Sequence, residues 1–146
     1  MTQIEISKGP QATPSQPKSG ATPIDEGYAY FEGNIVPMSE AKVSVATHAL
    51  QYGTACFEGI RGYWNEQQQQ LYILKMREHY ERMAASWNVL HMRPSESIED
   101  LCRITVELLR KQELRQNTYV RPLTYKSSCT IRLTLQELED AVAIYA

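Results

Sequence analysis

Apolar residues alternate with polar ones in short runs near both ends of the chain, and recur every three or four residues in its middle. The first spacing marks half-buried strands and the second marks amphipathic helices. Tyr28–Pro37 (YAYFEGNIVP) holds two short apolar runs around Glu32-Gly33-Asn34, the pattern of a hairpin. In Ser39–Thr47, Val43 and Val45 alternate with polar residues, which predicts a third strand. Cys56–Trp64 reads as a fourth, with Phe57, Gly59, Arg61 and Tyr63 on one face. Cys56, Glu58, Ile60, Gly62 and Trp64 take the other face. Asn65–Gln70 is a polar turn, and Leu71–Leu74 returns from it as a strand. Lys75–Leu90 has helical spacing, with Met76, Tyr80, Met83, Trp87 and Leu90 on one stripe. Arg93-Pro94 ends that helix. Ser97 and Asp100 form a capping box that opens a second helix, reaching about Leu114. Its core side carries Ile98, Leu101, Cys102, Thr105, Leu108 and Leu109. Asn117–Ser128 reads as a strand with Tyr119, Arg121, Leu123 and Tyr125 on one face. Pro122 has no N–H for a ladder, which predicts an edge strand or a bulge there. Thr134–Asp140 reads as a short helical turn and Ala141–Ala146 as a last strand. Strands, two consecutive helices, then strands predict an α+β domain, with a mostly antiparallel sheet and both helices on one face.

Composition narrows the picture. Residues 1–24 are rich in Pro, Ser, Thr and Gln and carry no aromatic side chain, so disorder is expected there and one folded domain over 25–146. A net charge of −2 argues against nucleic acid as a main partner. The three cysteines, Cys56, Cys102 and Cys129, are widely spaced and read as reduced thiols of a cytoplasmic protein. No His/Cys cluster suggests a metal site, and no apolar run suggests a membrane span or secretory signal. The chain stops inside an apolar strand, from which further chain is expected.

The candidate chemistry lies on two arginine-bearing strands. Arg61 stands between Phe57 and Tyr63, with a gap at Gly59 beside it. A guanidinium is a planar, permanently charged fork suited to carboxylate or phosphate, and a glycine permits close approach. The same face also suits an exposed arginine on an edge strand with a bulge at Gly59. Arg121, flanked by Tyr119, repeats the theme; a solvated rim of polar groups would look alike. Two separated guanidiniums suit a ligand with two anionic groups. His48 reads as a packing or capping histidine. Arg82 falls off the apolar stripe of its helix and reads as a solvated residue.

Taken together, Ala41-Lys42-Val43, Thr47-His48-Ala49-Leu50, Tyr52-Gly53-Thr54, Phe57-Glu58-Gly59-Ile60-Arg61, Arg77-Glu78-His79 with Arg82, and Tyr119-Val120-Arg121-Pro122-Leu123 resemble the N-terminal part of branched-chain amino-acid aminotransferases. These are fold-type IV enzymes that use pyridoxal 5'-phosphate. The resemblance covers roughly Gly27 to Ala146. It implies that Arg82 contacts the cofactor phosphate and that Tyr52 and Phe57 line the pocket for a branched side chain. It also implies that Tyr119 and Arg121 hold the distal carboxylate of glutamate or 2-oxoglutarate, with Arg61 ordering the same side.

In the same family the lysine that forms the Schiff base belongs to a C-terminal domain. None of Lys8, Lys18, Lys42, Lys75, Lys111 and Lys126 matches it, so no catalytic residue is expected in this chain, and the chain alone is expected to be inactive. The resemblance further implies a homodimer or higher homo-oligomer, and small-molecule amino acids and 2-oxo acids as partners. Two alternatives stand beside it: another fold-type IV enzyme, such as a D-amino-acid aminotransferase or an aminodeoxychorismate lyase, and a non-catalytic module that binds a small anion.

Overall fold

A computed structural model describes residues 26–146. The tail expected at residues 1–24 lies outside the described residues.

The chain begins as a hairpin, β1 (Tyr28–Phe31) and β2 (Asn34–Pro37). Its two-residue turn has φ of 47° at Glu32 and 82° at Gly33. Two positive values in succession match the twist of the flanking strands, which is why a glycine serves here. Three further strands, β3 (Ala55–Phe57), β4 (Ile60–Asn65) and β5 (Gln70–Ile73), follow a short helix α1 (His48–Tyr52). Helices α2 (Met76–Val89) and α3 (Ile98–Gln112) come next, then β6 (Thr118–Lys126) and β7 (Asp140–Tyr145). The strands form one antiparallel sheet in the order β2-β1-β7-β6-β4-β5, with β3 also paired to β6. The predicted α+β class and the antiparallel sheet are therefore as the chain builds them.

Both long helices pack on one face of the sheet. Tyr80 and Met83 from α2, and Leu101, Ile104, Leu108 and Leu109 from α3, close over Tyr30, Ile60, Val120, Val142 and Ile144. Burying each such apolar side chain contributes about 1.5–3 kcal/mol. Two polar groups carried into this layer are paired: Trp87 Nε1 donates to Thr124 Oγ1 at 3.0 Å, and Tyr80 Oη bonds Thr105 Oγ1 at 2.5 Å. The capping box forms as expected, with Ser97 Oγ accepting from the Asp100 N–H and Asp100 returning the bond.

Three expectations are overturned. Ser39–Thr47 is not a strand. It is a 3-10 turn at Met38–Glu40 followed by irregular chain, with Thr47 alone bridging to Cys129. Val43 and Val45 are exposed there, and among the described residues no neighbouring strand offers them a ladder. Thr134–Asp140 is not helical. It makes one turn at residues 136–137, where φ of 59° at Glu137 is incompatible with a helix.

The third correction concerns Pro122. It lies neither on an edge strand nor at a bulge, because β6 is paired on both sides. On the β7 side its partner is Ile144. On the other side the expected continuous strand 56–64 divides into β3 and β4 at Glu58–Gly59. Register is preserved across the break: Phe57 pairs Leu123 before it, and Ile60 pairs Val120 after it. The missing N–H of Pro122 thus interrupts the ladder without inserting a residue. The Glu58 N–H still donates to the Pro122 carbonyl at 3.1 Å.

Candidate functional site

Because the register holds through the break, odd-numbered residues of β3, β4 and β6 share one face and even-numbered residues the other. Ile60, Val120 and Thr124 face the helices and are buried. Phe57, Arg61, Tyr63, Tyr119, Arg121 and Leu123 face the other way. Phe57 is 58% exposed, Tyr119 45% and Tyr63 44%, so no helix covers this part of the sheet. The two arginines of the sequence pattern therefore stand on the same open face. Arg61 is the direct cross-strand partner of Tyr119.

Arg121 is held by rings. Its guanidinium carbon lies 4.0 Å from the centroid of Phe57 and 5.2 Å from that of Tyr119. Its Nη2 donates to Tyr119 Oη at 3.1 Å. Its Nε is buried and has no hydrogen-bond partner among the described residues. No carboxylate among the described residues pairs with Arg121, so its full charge is available to a ligand carboxylate, and the remaining Nη hydrogens can form the bidentate fork. The gap expected at Gly59 is not empty. The Tyr119 ring occupies it.

Beyond Arg121 the open face turns apolar. A hollow of about 480 Å³ is bounded by Phe31, Leu123, Tyr125, Ala143 and Tyr145 of the sheet and by Val43 and Leu50 above them. Tyr145 is the β7 partner of Arg121, so the guanidinium sits at the rim of this hollow. An apolar wall beside a fixed cation is suited to small ligands with an aliphatic or a carboxylate end.

A second guanidinium approaches the sheet from α2, on the opposite side of the ladder break. Arg82 Nε and Nη2 each donate to the Glu58 carboxylate at 2.6 Å, and His79 Nδ1 lies 3.0 Å from Glu58 Oε2. Glu58 is buried at 8% exposure, whereas the Arg82 side chain is 68% exposed. The Arg82 guanidinium, with help from His79, lowers the Glu58 pKa to about 2 against the opposing effect of burial. Arg82 is exposed, as its position off the helix stripe suggested, and is in addition tied to Glu58. It is fixed along one edge and offers its Nη1 edge to solvent, which leaves room for a phosphate oxygen.

The remaining candidates stand apart. Tyr52 stacks on His48, ring centroids 4.5 Å apart, and no hydrogen bond or ring contact joins it to the Phe57–Tyr119–Arg121 group. His48 is buried, bonded through Nδ1 to Thr54 Oγ1 and through Nε2 to the Arg132 carbonyl, each at 2.8 Å. That is the packing histidine read from the sequence. Lys126 is buried on the helix side, 2.9 Å from Asp140 Oδ1 and donating to the His91 carbonyl at 2.8 Å. Burial pushes the Cys56 thiol up, away from a reactive thiolate.

Glu58 is the residue that sequence reasoning passed over. Period-two alternation put it on the buried face, and a buried carboxylate requires a cation. The signal was that requirement, not the local motif.

No family model matches the chain. It is 48% identical over 118 residues to a probable branched-chain-amino-acid aminotransferase of Aquifex aeolicus, covering 81% of this chain and 38% of that protein. Among solved structures, the branched-chain aminotransferase of Thermoproteus uzoniensis with norvaline is 34% identical with a TM-score of 0.77. It covers 82% of this chain and 39% of its own. The branched-chain amino acid aminotransferase of Thermobaculum terrenum in its pyridoxal-phosphate form is 28% identical, with a TM-score of 0.75. It covers 84% of this chain and 40% of its own. The chain thus spans about two-fifths of the length of the relatives it matches.

Proposed function

We propose, from a chain that belongs to the branched-chain amino-acid aminotransferase family and matches its N-terminal domain, that it forms the substrate-recognising part of a pyridoxal-phosphate-dependent transaminase. The reaction exchanges the amino group between L-leucine, L-isoleucine or L-valine and 2-oxoglutarate. The observation that carries this reading is Arg121, gripped by two aromatic rings and, among the described residues, unpaired with any carboxylate at the rim of an apolar sheet face.

Each residue has a task that its geometry suits. Arg121, with the Tyr119 hydroxyl, binds the distal carboxylate of glutamate. Phe57 forms the wall against a branched side chain, and Tyr52, which packs on His48 away from Phe57, is assigned to that wall by the family resemblance alone. The ring of Phe57 serves both substrates, as a stacking surface for the guanidinium and as an apolar contact. Arg61, beside Tyr119, orders the same side of the site and adds positive potential. Arg82 holds the cofactor phosphate through its solvent-facing edge, while Glu58 fixes its plane. The cofactor supplies the electron sink that makes the substrate's α-proton removable.

The lysine that carries the cofactor belongs, in this proposal, to a C-terminal domain outside these 146 residues. Lys126 is engaged on the helix side, and Lys111 lies over the Tyr28 ring, 4.4 Å from its centroid. Residues 1–146 alone are then inactive. The exposed aromatic face supports assembly as a homodimer, since so much apolar surface is costly to leave in water. Free cysteines support a cytoplasmic setting.

The test is an amino-transfer assay of the intact protein with pyridoxal phosphate and 2-oxoglutarate. Transfer from L-leucine and none from D-alanine is expected. Transfer from D-alanine alone moves the protein to a D-amino-acid enzyme. Binding of 2-oxoglutarate without any transfer leaves a non-catalytic anion module.

A further inference from the structure

Arg82 meets a phosphate with its own charge already balanced. It donates from Nε and Nη2 to the two oxygens of Glu58, each at 2.6 Å. Glu58 stays ionised, its pKa lowered to about 2 chiefly by that guanidinium. The pair therefore carries no net charge. Its solvent-facing edge can offer hydrogens to an anion, but it adds little positive potential.

His79 completes the cluster. Its Nδ1 lies 3.0 Å from Glu58 Oε2. An ionised carboxylate only accepts, so Nδ1 carries a hydrogen and donates it. Arg82 Nη2 also stands 3.4 Å from Nδ1. With the hydrogen on Nδ1, this is the approach of two donors to one shared oxygen and not a bond between them. Nε2 has no hydrogen-bond partner among the described residues, and the His79 side chain is 21% exposed, within reach of water.

A neutral imidazole in this tautomer is an adequate second anchor for Glu58. The imidazolium anchors it equally well, because Nδ1 donates in both forms. Taking up a proton at Nε2 thus breaks no bond, and it changes the cluster from neutral to net positive. The neighbouring guanidinium opposes that change, and an anion bound at the edge of Arg82 relieves the repulsion. The other groups around His79 do not supply the charge. Lys75 and Glu78 on its own helix are exposed and opposite in sign. Glu99 of α3 is taken up by Arg77. Cys56 of β3, on the face of Glu58, has a thiol that burial keeps protonated.

We infer that His79, as its imidazolium, supplies the positive charge that Arg82 has given up to Glu58, so that binding of the cofactor phosphate is coupled to uptake of a proton by His79. It acts through Glu58 and Arg82, as a positioning residue. The inference rests on the reading above that Arg82 holds the phosphate, and deepens it by giving the charge of that site, and its pH dependence, to a second residue. The coupling is reciprocal: the phosphate favours the proton as much as the proton favours the phosphate.

The experiment uses the intact protein, stripped of cofactor and titrated with pyridoxal phosphate or with pyridoxal, which has the same aldehyde and no phosphate. Kd is measured at about pH 6 and about pH 8, either side of the ordinary histidine range. The wild type is compared with His79→Gln, which keeps a donor for Glu58 and cannot be charged. The phosphate itself titrates near about pH 6, but equally for both proteins, so it cancels in their ratio. The affinity of the wild type relative to His79→Gln for pyridoxal phosphate should fall about fivefold or more from the lower pH to the higher, the lower end of usual couplings between sites. For pyridoxal that ratio should not change. A second measurement needs only the wild type and decides the matter if His79→Gln does not fold. Calorimetry at about pH 7, in buffers of different ionisation heat, should show pyridoxal phosphate taking up protons on binding beyond any taken up with pyridoxal.

An affinity ratio for pyridoxal phosphate that is independent of pH, or no proton uptake beyond that of pyridoxal, overturns the inference while the transaminase reading stands. A wild type that binds pyridoxal phosphate no more tightly than pyridoxal overturns the placement of the phosphate at Arg82 as well.

Discussion

Ile60 and Arg61 are neighbours in the chain and belong to two different surfaces. Ile60 is fully buried beneath α2 and α3, in a layer of close-packed apolar side chains. Arg61 is exposed on the opposite face, among aromatic rings that no other described residue covers. One face of the sheet is packed into the core, and the other stands open. The two guanidiniums beside the ladder break sharpen the contrast. Arg82 is tied to a buried carboxylate by two short hydrogen bonds, so its direction is fixed and its charge is balanced. Arg121 is held by rings, so its place is fixed and its charge is not balanced. An ion pair suits a residue that must point at one part of a larger anion site. An aromatic clamp suits a residue that must supply the charge itself.

That division can be broken by substitution. Ile60→Ala should cost about 2–5 kcal/mol in urea unfolding, the range for a truncated core side chain. Arg61→Ala, one residue on, should stay within about 0.5 kcal/mol, as solvent-facing substitutions do. Comparable losses at the two positions would mean that the open face also holds the fold.

Glu58→Gln comes next. A lost carboxylate leaves Arg82 free to rotate, and pyridoxal-phosphate affinity of the intact protein should fall roughly tenfold, about the weight of one charge-assisted hydrogen bond. The effect on pyridoxal, which has no phosphate, should be slight. Acid sensitivity follows from the same pair. Glu58 has its pKa lowered in the folded state to about 2 from the ordinary 4.5. Its contribution is therefore present above about pH 4.5 and is lost as the pH falls toward 2. Thermal melts of the wild type should decline across that window more steeply than those of Glu58→Gln. Parallel curves would show that the pair carries no folding free energy.

The smallest effect should come from Phe57→Leu, which keeps an apolar wall and removes the ring face. Loss of an exposed cation–π contact is worth about 0.5–1 kcal/mol, so the glutamate half-reaction should slow by roughly two- to fivefold. A loss as large as that from removing the guanidinium itself would move the anchoring role from Tyr119 to Phe57.

The parts of this molecule that were legible in its sequence are those with local causes. The Glu32-Gly33 turn needs positive φ, the Ser97–Asp100 cap needs two short polar side chains three apart, and the α2 and α3 stripes need only helical spacing. Alternation also placed Arg61 and Arg121 on faces that proved to be the same one. What the chain concealed depends on distant partners. Val43 and Val45 alternate like strand residues but meet no neighbouring strand among the described residues. Pro122 sits in a paired central strand because the chain opposite it relaxes at Glu58–Gly59. The tie between Glu58 and Arg82 spans 24 positions, and the seating of Tyr119 over Gly59 spans two strands. No local pattern encodes either one.

The claim on which the account turns is that Arg121 serves the carboxylate substrate and not the apolar one. It is tested most directly by single-turnover amino transfer in the intact protein carrying Arg121→Ala. Removing a charged partner from a carboxylate costs about 2–5 kcal/mol. The account predicts a glutamate half-reaction slowed at least 30-fold, roughly the lower end of that range, with the leucine half-reaction within about fivefold of wild type. Equal slowing of the two half-reactions would contradict it.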